Sequence, residues 1–119
     1  GLVTGAEAKL RGEAVDPDVI GRAIAGLHDQ PGGDPVDVIV LACTHFPLLQ
    51  DELQAAAGPG VTLIDGAAGI ARRIADLTEG QPWPAAAAPG VAVFTRSDDR
   101  PPPPLAALAP YGIGSIETI

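Results

Sequence analysis

VDVIVLACTHFPLLQDEL, residues 36–53, is the stretch on which the reading of this chain turns. Residues 36–42 form a short strand that is rich in β-branched residues and mostly apolar on both faces, as a buried parallel strand is. Asp37 is its one charged residue and sits near the start. The run stops at Ala42-Cys43-Thr44-His45. Pro47 then opens a segment to residue 57 in which Leu48, Leu49 and Leu53 share one side, the spacing of a helix. Asp51 and Glu52 lie near its first turns, where the helix dipole favours anions. The sole cysteine, a threonine and one of two histidines thus stand where a strand hands over to a helix.

Working outward, the same rhythm recurs. Asp16 caps a helix with Pro17 at its first position, and Val19, Ile20, Ala23, Ile24 and Leu27 fall on one face. DQPGGDP (29–35) ends that helix in a loop. Gly58-Pro59-Gly60 stops the helix after the motif, VTLID (61–65) reads as a second strand, and GAAGIARRIADL (66–77) as a helix carrying Ile70, Ile74 and Leu77. Strand and helix in alternation predict an α/β fold with a doubly wound parallel sheet. The outer parts are less determined. LVTGAEAKL (2–10) reads either as a strand end entering a turn or as the first turn of a helix. GQPWPAAAAPG (80–90) is a linker or long loop, VAVFT (91–95) a third strand, and RSDDRPPPP (96–104) a break. The tail from 105 to 119 holds a short helix and an edge strand, SIETI.

Composition narrows the partners. Lys+Arg 7 against Asp+Glu 15 gives a net charge of −8, the opposite of a phosphate-backbone footprint, so nucleic acid is not expected. No apolar run approaches the roughly 18 residues of a membrane span, and no basic-then-apolar leader opens the chain. A single cysteine forms no internal disulfide, which fits a reducing cytoplasm. The chain opens on Gly1 in mid-pattern, and a fragment of a longer protein is expected.

In open α/β sheets ligands bind at the carboxyl ends of strands, next to helix N-termini. The local pattern puts Cys43 there, where unpaired N–H groups and the positive dipole end favour a thiolate. Thr44 brings a hydroxyl that, with neighbouring amides, suits a carboxylate. His45 gives or takes a proton near neutral pH. The plainer alternatives stand beside this reading: a strand-end cysteine is often a small buried hydrophobe, and Thr44 and His45 can simply cap a helix. One cysteine and two histidines are too few for a usual four-ligand zinc site. His28, at the end of a surface helix, is a poor base for a cysteine protease.

VIVLACTHFPLL (38–49) resembles the second catalytic motif of the glutamate racemases, in which a strand delivers Cys-Thr-His followed by an aromatic residue, Pro and Leu. AEAKLRGE (6–13) resembles the segment that brings a glutamate toward the active site, VTLIDGAAGIARRI (61–74) the strand, Asp and helix after the motif, and VAVFTRSDD (91–99) the strand near the family's C-terminus. The resemblance covers most of residues 2–99. Relatives acting on aspartate carry Cys-Thr-Glu at the motif, so His45 favours glutamate.

The resemblance implies an aspartate/glutamate racemase-like α/β fold, seen as a partial chain. In it, residues 1–66 form part of the second lobe and residues 67–119 return to the first. It also implies an enzyme needing neither pyridoxal phosphate nor metal, which interconverts L- and D-glutamate and supplies D-glutamate for peptidoglycan. Two cysteines work on opposite faces of the substrate α-carbon, one removing a proton as thiolate and the other returning one as thiol. Cys43 matches the second of the pair. Thr44 and His45 match substrate-binding residues, His45 also assisting proton transfer, and Glu7 matches a glutamate that supports that histidine. The expected partner is small-molecule substrate, glutamate, with no nucleic acid and no membrane, and the full-length protein is allowed a homodimer. The family's Asp-Ser start and its Cys-Asn-Thr motif are both missing from this sequence, which corresponds to less than half of a family member. A racemase of aspartate or of a hydantoin, and a non-catalytic α/β domain keeping the motif as a ligand pocket, are the competing readings.

Overall fold

Asp16 starts the most sharply specified helix of the computed structural model, which describes residues 1–32, 36–95 and 101–119. Its carboxylate accepts the Asp18 N–H at 2.9 Å, and Pro17, whose missing N–H is no loss at a helix start, opens α2 (Pro17–His28). Ile20 and Ile24 are its buried residues, four apart on one face. The segment left open between strand and helix is a helix, α1 (Leu2–Leu10), with Ala6 completely buried.

The expected first strand shrinks to β1 (Val38–Val40), and β2 (Thr62–Ile64) pairs with it in parallel, Val38 opposite Thr62 and Val40 opposite Ile64. Backbone bonds extend the ladder at both ends: Thr62 N–H to Asp37 C=O and Leu41 N–H to Ile64 C=O, each 2.7 Å. The helix expected from Pro47 needs correction. Phe46–Leu49 is a 3₁₀ turn, and the α-helix α3 (Gln50–Ala57) follows it. The bonds of the turn run three residues back, Phe46 N–H to Cys43 C=O at 3.0 Å and Leu48 N–H to His45 C=O at 3.1 Å. Leu49 departs from helical geometry (φ −105°, ψ 17°) where its side chain is fully buried.

The core explains these positions. Ala6, Ile20, Ile24, Leu41, Leu49 and Leu53 form one buried cluster, against which Ile39 and Leu63 pack from the sheet and Leu2, Val15 and Phe46 from around it. Helices α1, α2 and α3 thereby cover one face of the β1–β2 pair. After β2, the Asp65 carboxylate accepts the Ala67 N–H at 2.8 Å and starts α4 (Ala67–Leu77), none of whose residues is buried.

One polar link ties α1 to α3. Lys9 Nζ donates to Glu52 Oε2 at 2.8 Å across 43 residues of sequence, both side chains about one-third exposed. Partial burial pushes the Glu52 carboxyl up, but the Lys9 hydrogen bond, a backbone hydrogen bond and the Lys9 charge outweigh it and hold the group below its ordinary 4.5. A carboxyl with a depressed folded-state pKa stabilises the fold above its unfolded value and loses that contribution as pH falls through the folded one. At this exposure the pair contributes about 0.2–1 kcal/mol. Glu52→Gln is therefore expected to lower stability by that order at about pH 7 and to be neutral at about pH 3. Urea unfolding at the two pH values checks it; a difference that persists in acid overturns the ion-pair assignment.

By contacts the chain divides into two compact units, residues 1–9 with 14–80 and residues 10–13 with 81–119. The second unit is built on another parallel pair, β3 (Gly90–Phe94) and β4 (Ile113–Thr118). Its strands are joined through α5 (Leu105–Leu108) and a 3₁₀ turn, Ala109–Tyr111. Gly112 closes that turn at φ 77°, a left-handed conformation that favours glycine. The expected edge strand SIETI starts earlier, at Ile113, because pairing with Gly90 draws in two more residues. Residues 33–35 of the expected loop and 96–100 of the expected break lie outside the described residues. Among the described residues no helix is long and apolar enough to cross a membrane.

Candidate functional site

The residues after β1 are pinned from both sides. Leu41 is buried and bonded to β2, and Leu49 is buried among the helices. Between these anchors the chain makes a tight return, Ala42 N–H reaching Val40 C=O at 3.0 Å and Phe46 N–H reaching Cys43 C=O. Cys43, Thr44 and His45 occupy that return at the carboxyl end of β1, the edge of a parallel sheet at which α/β proteins bind ligands. Asp65 leaves the carboxyl end of β2 at the neighbouring position.

Cys43 and His45 are both half-buried, and their side chains meet: Sγ lies 3.8 Å from Nδ1. Whether the thiol donates or the ring nitrogen does depends on the tautomer. Thr44, between them, is exposed. Glu7 is half-buried on α1, whose neighbouring turn lies on the same anchor: a Cβ added to Gly5 would come 3.9 Å from Leu49 Cδ1. Of the residues singled out by sequence, the structure brings Cys43 and His45 into contact. His28 closes α2.

The geometry changes the physical argument for the thiol. The α-helix proper starts at Gln50, beyond the 3₁₀ turn, so the group presented to the sulfur is the His45 imidazole and not a helix terminus. A thiol and an imidazole at this separation can pass a proton between them, which is general acid–base chemistry at one point in space. Cys43 is the only cysteine of the sequence, so the chain holds one thiol. Among the described residues no three His, Cys, Asp or Glu side chains gather as a metal site requires. The Lys9–Glu52 link had no sequence signal, since the partners stand on separate helices far apart in the chain.

Comparison with known proteins bears directly on this strand-end motif. No family model matches the chain. A glutamate racemase of Sphingopyxis alaskensis is 79% identical over 119 residues, all of this chain and 44% of that protein. The chain resembles the C-terminal part of glutamate racemase. The glutamate racemase of Klebsiella pneumoniae is 51% identical over 79 residues, 66% of this chain and 27% of that one. Among solved structures, Escherichia coli glutamate racemase, crystallised in complex with L-glutamate and the activator UDP-MurNAc-ala, superposes with a TM-score of 0.79 at 37% identity. That match covers 98% of this chain and 44% of the E. coli protein. The α/β fold with parallel strands is thus that of glutamate racemase, an amino-acid racemase, and the chain spans less than half the length of the relatives it matches.

Proposed function

We propose that this chain carries one of the two proton-transfer arms of a cofactor-independent glutamate racemase that provides D-glutamate for peptidoglycan. The observation that carries the reading is the 79% identity to a glutamate racemase across the whole chain, and the contact between Cys43 and His45 is the chemistry that supports it. L-glutamate, the ligand of the E. coli relative, is the substrate we carry over.

In this mechanism Cys43 exchanges a proton with the α-carbon from one face, His45 relays or holds that proton at Nδ1, and Thr44 offers its exposed hydroxyl to the substrate. Glu7 steadies the histidine from α1. Inversion through a planar carbanion needs a base on each face, so the opposite thiol belongs to the part of the racemase that this sequence does not contain. In the lobes of such an enzyme, residues 1–66 belong to the second and residues 67–119 return to the first.

The test uses a racemase-length chimera, made by placing the upstream part of the S. alaskensis relative before Gly1. Iodoacetamide should alkylate Cys43 in the folded chimera near neutral pH, read as the modified Cys43 peptide by mass spectrometry, and L-glutamate should slow that modification. A Cys43 modified at the same rate with and without saturating glutamate would place it away from the substrate and remove the proposed role.

A further inference from the structure

The Cys43–His45 contact depends on where the return holds its two ends, and α1 grips the downstream end twice. Leu49, fully buried, closes the return, and Gly5 of α1 lies against it, its missing Cβ 3.9 Å from Leu49 Cδ1. About one turn further along both segments, Lys9 Nζ donates to Glu52 Oε2 at 2.8 Å. Lys9 follows Gly5 by four residues and Glu52 follows Leu49 by three, so the two contacts lie side by side.

These contacts differ in what they fix. Gly5 presents no side chain to Leu49, and hydrophobic contact is non-directional, so α1 slides or turns there at small cost. A hydrogen bond between charged groups is short and directional, and it sets one register of α1 against α3. At 3.8 Å, the Sγ–Nδ1 contact leaves little room for displacement of the return.

From this we infer that Lys9 and Glu52 are positioning residues for the Cys43–His45 pair. Their hydrogen bond holds α1 in register on Leu49 and so fixes the return that brings thiol and imidazole together. The same register carries Glu7, two residues before Lys9 on α1. Lys9 and Glu52 act through the return and not on substrate. The inference rests on the racemase reading, which gives Cys43 its work. A misplacement of about 1 Å away from the chemistry costs up to about 10²-fold in rate. A pair this exposed holds its register by no more than about a fivefold preference, and that smaller figure sets the expected effect.

Lys9→Met, which keeps the apolar stem and removes the charge, tests it in the racemase-length chimera. Iodoacetamide alkylation of Cys43 at about pH 7 should slow by about two- to fivefold, because the thiol loses the imidazole that takes its proton. The kcat should fall by a similar factor while KM stays within about twofold. Lys9→Arg, which keeps charge and donor, should restore both rates. Thr78→Ala is the control for stability alone: it removes a hydroxyl that donates to Ile74 C=O at 2.7 Å at the end of α4, and both rates should match the unsubstituted chimera. An alkylation rate that Lys9→Met leaves unchanged overturns the inference, whether or not the chimera racemises glutamate. A Thr78→Ala protein slowed to the same extent also overturns it, since general loosening then accounts for the effect. Alkylation that depends on Lys9 in a chimera without racemase activity upholds the positioning role and counts against the functional reading alone.

Discussion

Cys43→Ser in the racemase-length chimera abolishes racemisation, with a loss of at least about 10²–10⁴-fold, the range that a positioned acid–base group supplies. A serine hydroxyl is nearly isosteric with the thiol and leaves the return between Leu41 and Leu49 intact, so the change is chemical more than structural. It is also far too weak an acid to be held as an anion beside an imidazole, and it cannot take the α-proton. The measurement is the decay of the L-glutamate circular dichroism signal with time, set against far-UV circular dichroism to establish that the variant is folded. A folded Cys43→Ser protein with full turnover makes Cys43 a packing residue and sinks the mechanism. His45→Asn, by contrast, is expected to leave partial activity, because the thiol at 3.8 Å from Nδ1 survives the loss of its relay.

The second large effect needs no substitution. The 119-residue chain alone should give no sustained turnover of L-glutamate under conditions in which the chimera is active. Its sole thiol approaches one face of the α-carbon, and a carbanion reprotonated only from that face returns to the enantiomer it came from. The expectation is falsified if the purified chain drives the optical signal of L-glutamate to zero, since a second base would then have to be found among its own residues. The comparison discriminates because both proteins carry the same Cys43–His45 contact.

How much of this was legible in the sequence follows from which interactions are local. The Asp16-Pro17 start of α2 was, since cap and first turn are neighbours in the chain. So was the strand-to-turn placement of Cys43, because the apolar run and Pro47 flank it. The 3₁₀ turn at Phe46–Leu49 was not: helical spacing of Leu48, Leu49 and Leu53 is the same whether the first turn is α or 3₁₀, and the difference comes from burying Leu49 among residues distant in sequence. The helical state of residues 2–10 was likewise decided by packing, through Ala6 in the core, in a segment whose apolar residues fit either period. The Cys43–His45 contact was suggested by two-residue spacing, but the tight return that makes it was set by the anchors on either side.

Each parallel pair has two strands, so every strand described is an edge, with one row of backbone N–H and C=O groups lacking a strand partner. The two pairs differ in how inviting those rows are. Strands β1 and β2 are three residues long, a length that blunts edge-to-edge addition. Strands β3 and β4 run for five and six residues, and β3 exposes Val91 and Val93. An isolated chain that precipitates on storage or overexpression would therefore begin to do so by strand addition along β3 or β4, and charged residues at 91 and 93 would be the changes that keep it in solution.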